Sequence, residues 1–291
     1  MSGGIAVRAN LLCVTWSAAR GHVFLFDLEA RQRMSTWTLP PGARGYCDAA
    51  GVAMDEHFHL FVADPHNDRV CHFSAFGRHL ADIGLPAPAV GDTVRDRRGV
   101  LDRPHAVALL GDTVLVAVGE RPRRRGVQRF SRTGEVQKPL ASLGDAEATF
   151  GAPRSVWADA TGILVADTLC GRIQRFRPDG TFVCQVPCAP AGMLARPVAV
   201  MALPAGALLV ADRGDEPGIF AMGKDGAPLS LAAAMHERCE DAIAFAGDAQ
   251  GRVYVLDRTG ERVQRFSPDL AFDQLIVDLR EHLDDFPPVA P

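Results

Sequence analysis

The stretch VADTLCGRIQRF, residues 165–176, runs an apolar segment into Asp167, then a short polar turn, an arginine and a second segment that closes on Phe176. Alone, it reads either as a small reactive site or as a β-hairpin. The rest of the chain decides, because the phrase returns. VADPHNDRVCHF ends at Phe73, VLDRTGERVQRF at Phe266 and VADRGDEPGIFAM at Met222. Two copies are degraded: VAVGERPRRRGVQRF ends at Phe130 with inserted residues and no Asp, and VTWSAARGHVFLF ends at Phe26 with Ser17 in the Asp position. The anchors Phe26, Phe73, Phe130, Phe176, Met222 and Phe266 lie 47, 57, 46, 46 and 44 residues apart, so six units fill the chain.

Each unit carries an apolar run upstream, such as SVWAD or AIAFA, and a turn with a further short run downstream, such as RPDG followed by TFVCQV. That makes four short β-type segments per unit, with no long stretch of helical period. Six such units predict an all-β protein, a six-bladed β-propeller of four-stranded antiparallel blades. The propeller is expected over residues 1–280, with a Pro-rich tail at 281–291 that frays.

The opening stretch then acquires a structural meaning. Ile173 and Phe176 are three apart, so they point to opposite faces of a blade and pack against different neighbours. Asp167 is placed to accept turn NH groups, Gly171 to relieve a turn needing positive φ, and Arg172 to pair with Asp167 across the hairpin. Asp64 with Arg69, and Asp257 with Arg262, keep the same spacing, as a scaffold would and a single catalytic pair would not. Counting in register, no strand is shared between the chain ends, so the ring is expected to close by packing of blade 6 on blade 1.

The units FGAPRSVWADATGILVADTLCGRIQRFRPDGTF (150–182), GVAMDEHFHLFVADPHNDRVCHFSAFG (51–77) and GDAQGRVYVLDRTGERVQRFSPDL (247–270) resemble the NHL repeat. The resemblance implies the same six-bladed fold. Units one, three and five depart from it: unit three carries an Arg-rich insertion, and unit five has Pro217 at the Arg position and Met222 at the Phe position.

Composition bounds the function. A net charge of −4 argues against a surface built throughout for nucleic acid, leaving only a local basic patch. The amino-terminal MSGGIAVRANLLCVTW lacks the pattern of an export signal, no apolar run reaches membrane-spanning length, and seven scattered cysteines read as reduced thiols. A cytoplasmic protein with no membrane partner is expected. Cys184 and Cys188 read as ordinary thiols, and the histidines of DEHFHLFVADPHNDRVCH as surface or turn residues.

Two sectors are candidates for binding. Residues just before the innermost strands, Gly4 or its neighbour, Ala50, His105, Arg154, Val198 and Asp241, should ring the channel mouth; with Asp48, Arg196 and Glu240 nearby, the polar candidates are Asp48, His105, Arg154, Arg196 and Asp241. Amidating lyases built on similar repeats place zinc-binding histidines at several such positions. Here only Pro104-His105 matches, and one imidazole is not a zinc site. Sugar-lactonase-like propellers hold a central divalent metal on carboxylate and amide oxygens, and no convergent set of that kind falls at the ring positions. No catalytic residue, metal or cofactor is therefore assigned. The second sector is basic: Arg95, Arg97 and Arg98 in one loop, and Arg121, Arg123, Arg124 and Arg125 in another, a density suited to phosphate or carboxylate. Some NHL propellers bind single-stranded RNA on a basic face, but these loops carry no aromatic side chain for stacking bases. The expectation is a non-catalytic, protein-binding platform in a cytoplasmic assembly. A small-molecule enzyme of lactonase-like or lyase-like type with its site at the channel mouth is the first alternative, and RNA binding through the Arg-rich loop is the second.

Overall fold

A computed structural model describes residues 3–17, 21–86, 98–119, 126–140, 149–186, 194–215, 217–223 and 226–283. Among them the chain forms six four-stranded antiparallel sheets, each built from one contiguous stretch with its strands in sequence order. The innermost strands are Gly3–Arg8, Val52–Met54, Pro104–Leu110, Pro153–Asp159, Pro197–Ala202 and Ala242–Gly247. Each touches the next and the first touches the last, so the sheets stand as the blades of a six-bladed propeller around a central channel. Helix is confined to short turns, including Ala233–His236 and Arg280–Leu283, and no described helix is long and apolar enough to cross a membrane.

Blade 4 shows why the repeated phrase makes a blade. Its second strand, Gly162–Asp167, is buried throughout because neighbouring blades cover both faces, and it pairs with Arg172–Phe176 in the register Ile163 to Phe176 and Asp167 to Arg172. Gly171 takes φ +57° in the turn, and a Cβ there would meet the Leu194 carbonyl at 3.0 Å. Phe176 enters the core between blades 3 and 4, while Ile173 enters the core between blades 4 and 5. The same division holds around the ring: Phe73, Phe130, Met222, Phe266 and Phe26 pack towards the preceding blade, and Val70, Val127, Ile219, Val263 and Val23 towards the following one. Six apolar cores thus lie between blades. Truncating one such phenylalanine to alanine removes about 3–5 kcal/mol.

The strand-end aspartates do more than cap their own turns. Asp167 is fully buried and accepts the amides of Gly151 and Ala152, both at 2.8 Å, from the chain entering its blade's innermost strand. Asp64 accepts the Asp48 amide at 3.1 Å, Asp212 the Arg196 amide at 2.8 Å, and Asp257 the Asp241 amide at 3.1 Å. Arginines five residues on close three of these sites: Arg69 and Arg172 lie 3.1 Å, and Arg262 3.3 Å, from their aspartates. Each carboxylate therefore ties two connections of one blade together and shields charge that burial would otherwise penalise.

Blade 3 has Val118 at that position, paired with Pro104. The amide of Arg103 is instead held at 3.0 Å by Asp68, a buried carboxylate from the hairpin of blade 2, whose other oxygen accepts Arg44 at 2.7 Å. The defect in one repeat is covered by a side chain from its neighbour.

Ring closure is apolar. Trp16, Phe24 and Phe26 of blade 1 share one core with Tyr254, Leu256, Val263 and Val277 of blade 6, joined by Leu279. The His282 ring, in the short helix Arg280–Leu283, packs 5.2 Å from that of Phe26. The rest of the Pro-rich tail lies outside the described residues.

Candidate functional site

Strand register identifies the mouth of the channel. Pro153 pairs with Asp167, Pro197 with Asp212 and Ala242 with Asp257, so the starts of the innermost strands and the hairpins after the second strands share one face. A cavity of about 780 Å³ opens there and continues into the channel. That volume lies within the range of ligand sites.

Its wall has two characters. On the side of blades 1 and 2 it is glycine backbone, Gly3, Gly4 and Gly51, with only the apolar Ile5 and Val52 beside it. A Cβ on Gly51 would sit 2.7 Å from both Ala106 Cα and the His105 carbonyl, and one on Gly4 would sit 2.8 Å from Gly51 Cα. These glycines let neighbouring inner strands touch, and the Gly51 amide donates to the His105 carbonyl at 2.9 Å. On the side of blades 4 to 6 the wall is side chain: Arg154, Arg196, Arg213 and Arg258 stand with Glu240 and Asp241 at the rim.

Asp241 is gripped by two arginines. Arg213 Nε donates to Oδ1 at 2.5 Å, and Arg258 donates to Oδ2 through Nε at 2.7 Å and Nη2 at 2.5 Å. Arg213 Nη2 is buried without a hydrogen-bond partner among the described residues. Arg196 is exposed, and among the described residues no carboxylate pairs with its guanidinium. Among the described residues, Arg213 and Arg258 thus share the one carboxylate of Asp241 and Arg196 stands beside them, in a protein whose net charge is −4. The backbone amides of Arg196 and Asp241 are the ones held by Asp212 and Asp257. The scaffold carboxylates therefore position the rim.

Beneath the rim the lining turns apolar. Trp157, Val200 and Phe245 lie three to four residues along the strands that begin at Pro153, Pro197 and Ala242, roughly 10–13 Å below their starts. Ile243 and Val198 line the space between.

Of the expected mouth residues, the structure brings His105, Arg154, Arg196 and Asp241 together on the cavity. Asp48 is not among its lining residues; that sector is occupied by Gly51 and Val52. Blade 2 has a short inner strand that starts only at Val52, four residues after Asp48, whose amide is held by Asp64. Sequence reasoning did not select Arg213 and Arg258, although each directly follows a strand-end aspartate and that position borders the mouth, as does Thr168 after Asp167. Of the basic loops, Arg95, Arg97, Arg121, Arg123, Arg124 and Arg125 lie outside the described residues, whereas Arg98 is described.

A second polar cluster lies on the outer part of blade 2. Cys71, His79 and Asp82 offer ligand-type atoms within 4.8 Å of one another, the only such group of three among the described residues. Asp82 already accepts Arg69 and His79, both at 2.8 Å, and although its burial works the other way these hydrogen bonds hold its carboxyl below the usual range. Burial pushes the Cys71 thiol up. The group is a hydrogen-bonded knot between the two outer strands. Nearby, His72 stacks on Phe61 at 4.3 Å and meets His59 at 5.3 Å; burial, then His59, pulls its pKa down.

No family model matches the chain, and no curated protein matches it. Solved structures share its fold. A nidogen/laminin complex aligns at 15% identity and TM-score 0.63, covering 88% of this chain and 89% of that one. A protein of unknown function from Bacteroides caccae aligns at 14% identity and TM-score 0.60, covering 92% and 94%. A streptogramin B lyase aligns at 13% identity and TM-score 0.55, covering 87% and 89%. At these identities the likeness is one of architecture, which both a binding complex and an enzyme have used.

Proposed function

We propose that this protein is a non-catalytic, NHL-type propeller acting as a binding platform in a cytoplasmic assembly, and that its working surface is the mouth of the central channel, which receives an acidic segment of a partner protein. The observation that carries this reading is the rim, where among the described residues two arginines, Arg213 and Arg258, share the single carboxylate of Asp241 and Arg196 stands exposed beside them around an open cavity. Arginine in that density favours carboxylates, which it engages in paired hydrogen bonds. Asp241 holds Arg213 and Arg258 in place before any partner arrives, which lowers the ordering cost of binding. The NHL-type assignment draws support from the Asp, Arg and Phe of the repeat, which tie and space the blades. The cytoplasmic assignment draws support from the six described cysteines, all unpaired.

The test is binding of a labelled polyglutamate peptide to the full chain, against the variant Arg196→Ser/Arg258→Ser. Wild type should bind with an affinity that falls as salt rises, and the variant should lose at least tenfold while Arg196→Ser alone changes folding stability by no more than about 0.5 kcal/mol. Equal binding by both proteins would remove the rim from the account. Preference for single-stranded RNA over polyglutamate would replace the acidic partner with nucleic acid. The volume of the cavity, about 780 Å³, also favours a second reading, a small-molecule enzyme at the same mouth. Stoichiometric metal in the purified protein, with activity lost on its removal, would establish that reading instead.

A further inference from the structure

We infer that the throat below the arginine rim is a specificity subsite for a compact apolar body joined directly to the anionic group. The site would then read an aliphatic or aromatic carboxylate rather than negative charge alone. This inference rests on the reading of the mouth as an anion-binding surface, and it adds the second half of the ligand.

Three observations carry it. The cavity does not end at the charged rim; it is continuous with the space lined by Trp157, Val198, Val200, Ile243 and Phe245. Trp157, Val198, Ile243 and Phe245 in that set are only partly buried, so the propeller's own cores leave apolar surface facing the channel. Charge and throat also belong to the same sector. Arg154 stands above Trp157 on one strand, Arg196 directly precedes the strand of Val198 and Val200, and Asp241, with its two arginines, precedes that of Ile243 and Phe245. A ligand held by the rim therefore has its non-polar part over the throat without crossing the channel.

The balance of forces separates this arrangement from a purely electrostatic one. A rim open to water gives an exposed ion pair little net stability, because screening and side-chain ordering offset the attraction. A neighbouring apolar group that displaces water from the throat adds affinity in proportion to the area it buries and shields the ion pair from solvent. The rim alone selects sign of charge. The rim with the throat selects a class of molecule.

The experiment uses the full chain and the series acetate, butanoate, hexanoate and 3-phenylpropanoate, with hexanamide as the uncharged control. Of the three tryptophans, Trp157 is the one that lines the cavity, whereas Trp16 is fully buried and Trp37 lies on an outer strand. Tryptophan emission therefore reports occupancy, and Trp157→Phe should abolish the signal while calorimetry still detects binding. Affinity should rise about fourfold per added methylene until the throat is filled. Hexanamide should bind at least tenfold more weakly than hexanoate. Ile243→Thr, checked by melting for an intact fold, should flatten the chain-length dependence without changing the requirement for charge.

Equal affinity for acetate and hexanoate, with charge still required, overturns the throat subsite and leaves the acidic-partner reading standing. Failure of every carboxylate and of polyglutamate overturns that reading itself. A parallel comparison of acetyl-Glu-Phe-amide with acetyl-Glu-Ala-amide distinguishes the sources of this chemistry. A tenfold preference for the Phe peptide over both its partner and 3-phenylpropanoate assigns the site to a protein segment, and the reverse order assigns it to a free organic acid.

Discussion

One side of the channel mouth, formed by blades 1 and 2, is walled by Gly3, Gly4 and Gly51; the opposite side, formed by blades 4 to 6, is walled by arginine, tryptophan and phenylalanine. The difference is one of what fills the angle between blades. Where the inner strands approach until backbone meets backbone, as Gly51 meets His105 and Ala106, a side chain does not fit at the glycine and the arc offers only the apolar Ile5 and Val52 to the opening. In blades 5 and 6 Asp212 and Asp257 hold the entering chain so that Arg196 and Asp241 face the opening. Support and recognition are divided between two arcs of one ring.

The sharpest way to break this comparison is to remove a supporting carboxylate from the recognition arc. Asp257→Ala deletes a fully buried acceptor that holds the Asp241 amide and Arg262, and should cost about 3–5 kcal/mol of folding free energy in urea titrations. It should also weaken anion binding at temperatures where the protein stays folded. An intact rim in that variant would show that Asp241 is positioned by its arginines alone.

A smaller effect tests the backbone arc. Gly51→Ala places a methyl 2.7 Å from Ala106 Cα and should cost about 1–3 kcal/mol by thermal melting, with anion affinity unchanged. Gly126→Ala, where a Cβ meets no atom of the described residues within 4 Å, is the control and should leave the melting temperature the same or slightly higher. Equal costs at both positions would mean that close approach is not what requires glycine in this arc.

The smallest expected effect is on pH. Burial, followed by His59, depresses the His72 pKa, while Asp55 opposes the shift and His79 and Arg132 add to it. The folded state therefore binds that proton less readily than the unfolded chain, and stability should fall as pH drops from 7 through the imidazole's ordinary value of 6.5. His72→Gln should remove this share, less than about 1 kcal/mol, from stability profiles between pH 7 and pH 5. An unchanged slope would locate the acid sensitivity elsewhere.

The fold was legible because each anchor position answers to the same constraint. Phe176 and its counterparts must fill a space between blades, so the pattern survives even where Met222 replaces Phe or Ser17 replaces Asp. His105, Arg154 and Asp241 were legible for the same reason, since register alone puts the start of an inner strand at the mouth, and Arg196 was legible as a polar neighbour of such a start. Arg213 and Arg258 were not, because the direction of a side chain in a hairpin depends on the turn and on Asp241 reaching across from another loop. Asp68 was invisible in its role, as its partner Arg103 lies 35 residues away and in another blade. The depth of Trp157 and Phe245 required the three-dimensional channel.

Among the described residues the joint between blades 6 and 1 carries no paired strand and is held by the same kind of apolar core as the other five. Blade number is then a parameter of the architecture rather than a fixed property of it. A duplicated or lost unit would alter the circumference of the ring, and with it the bore of the channel, without severing a single sheet. In such a lineage the width of the throat, and so the girth of what it admits, would change in discrete steps, while substitutions at the rim tuned charge independently.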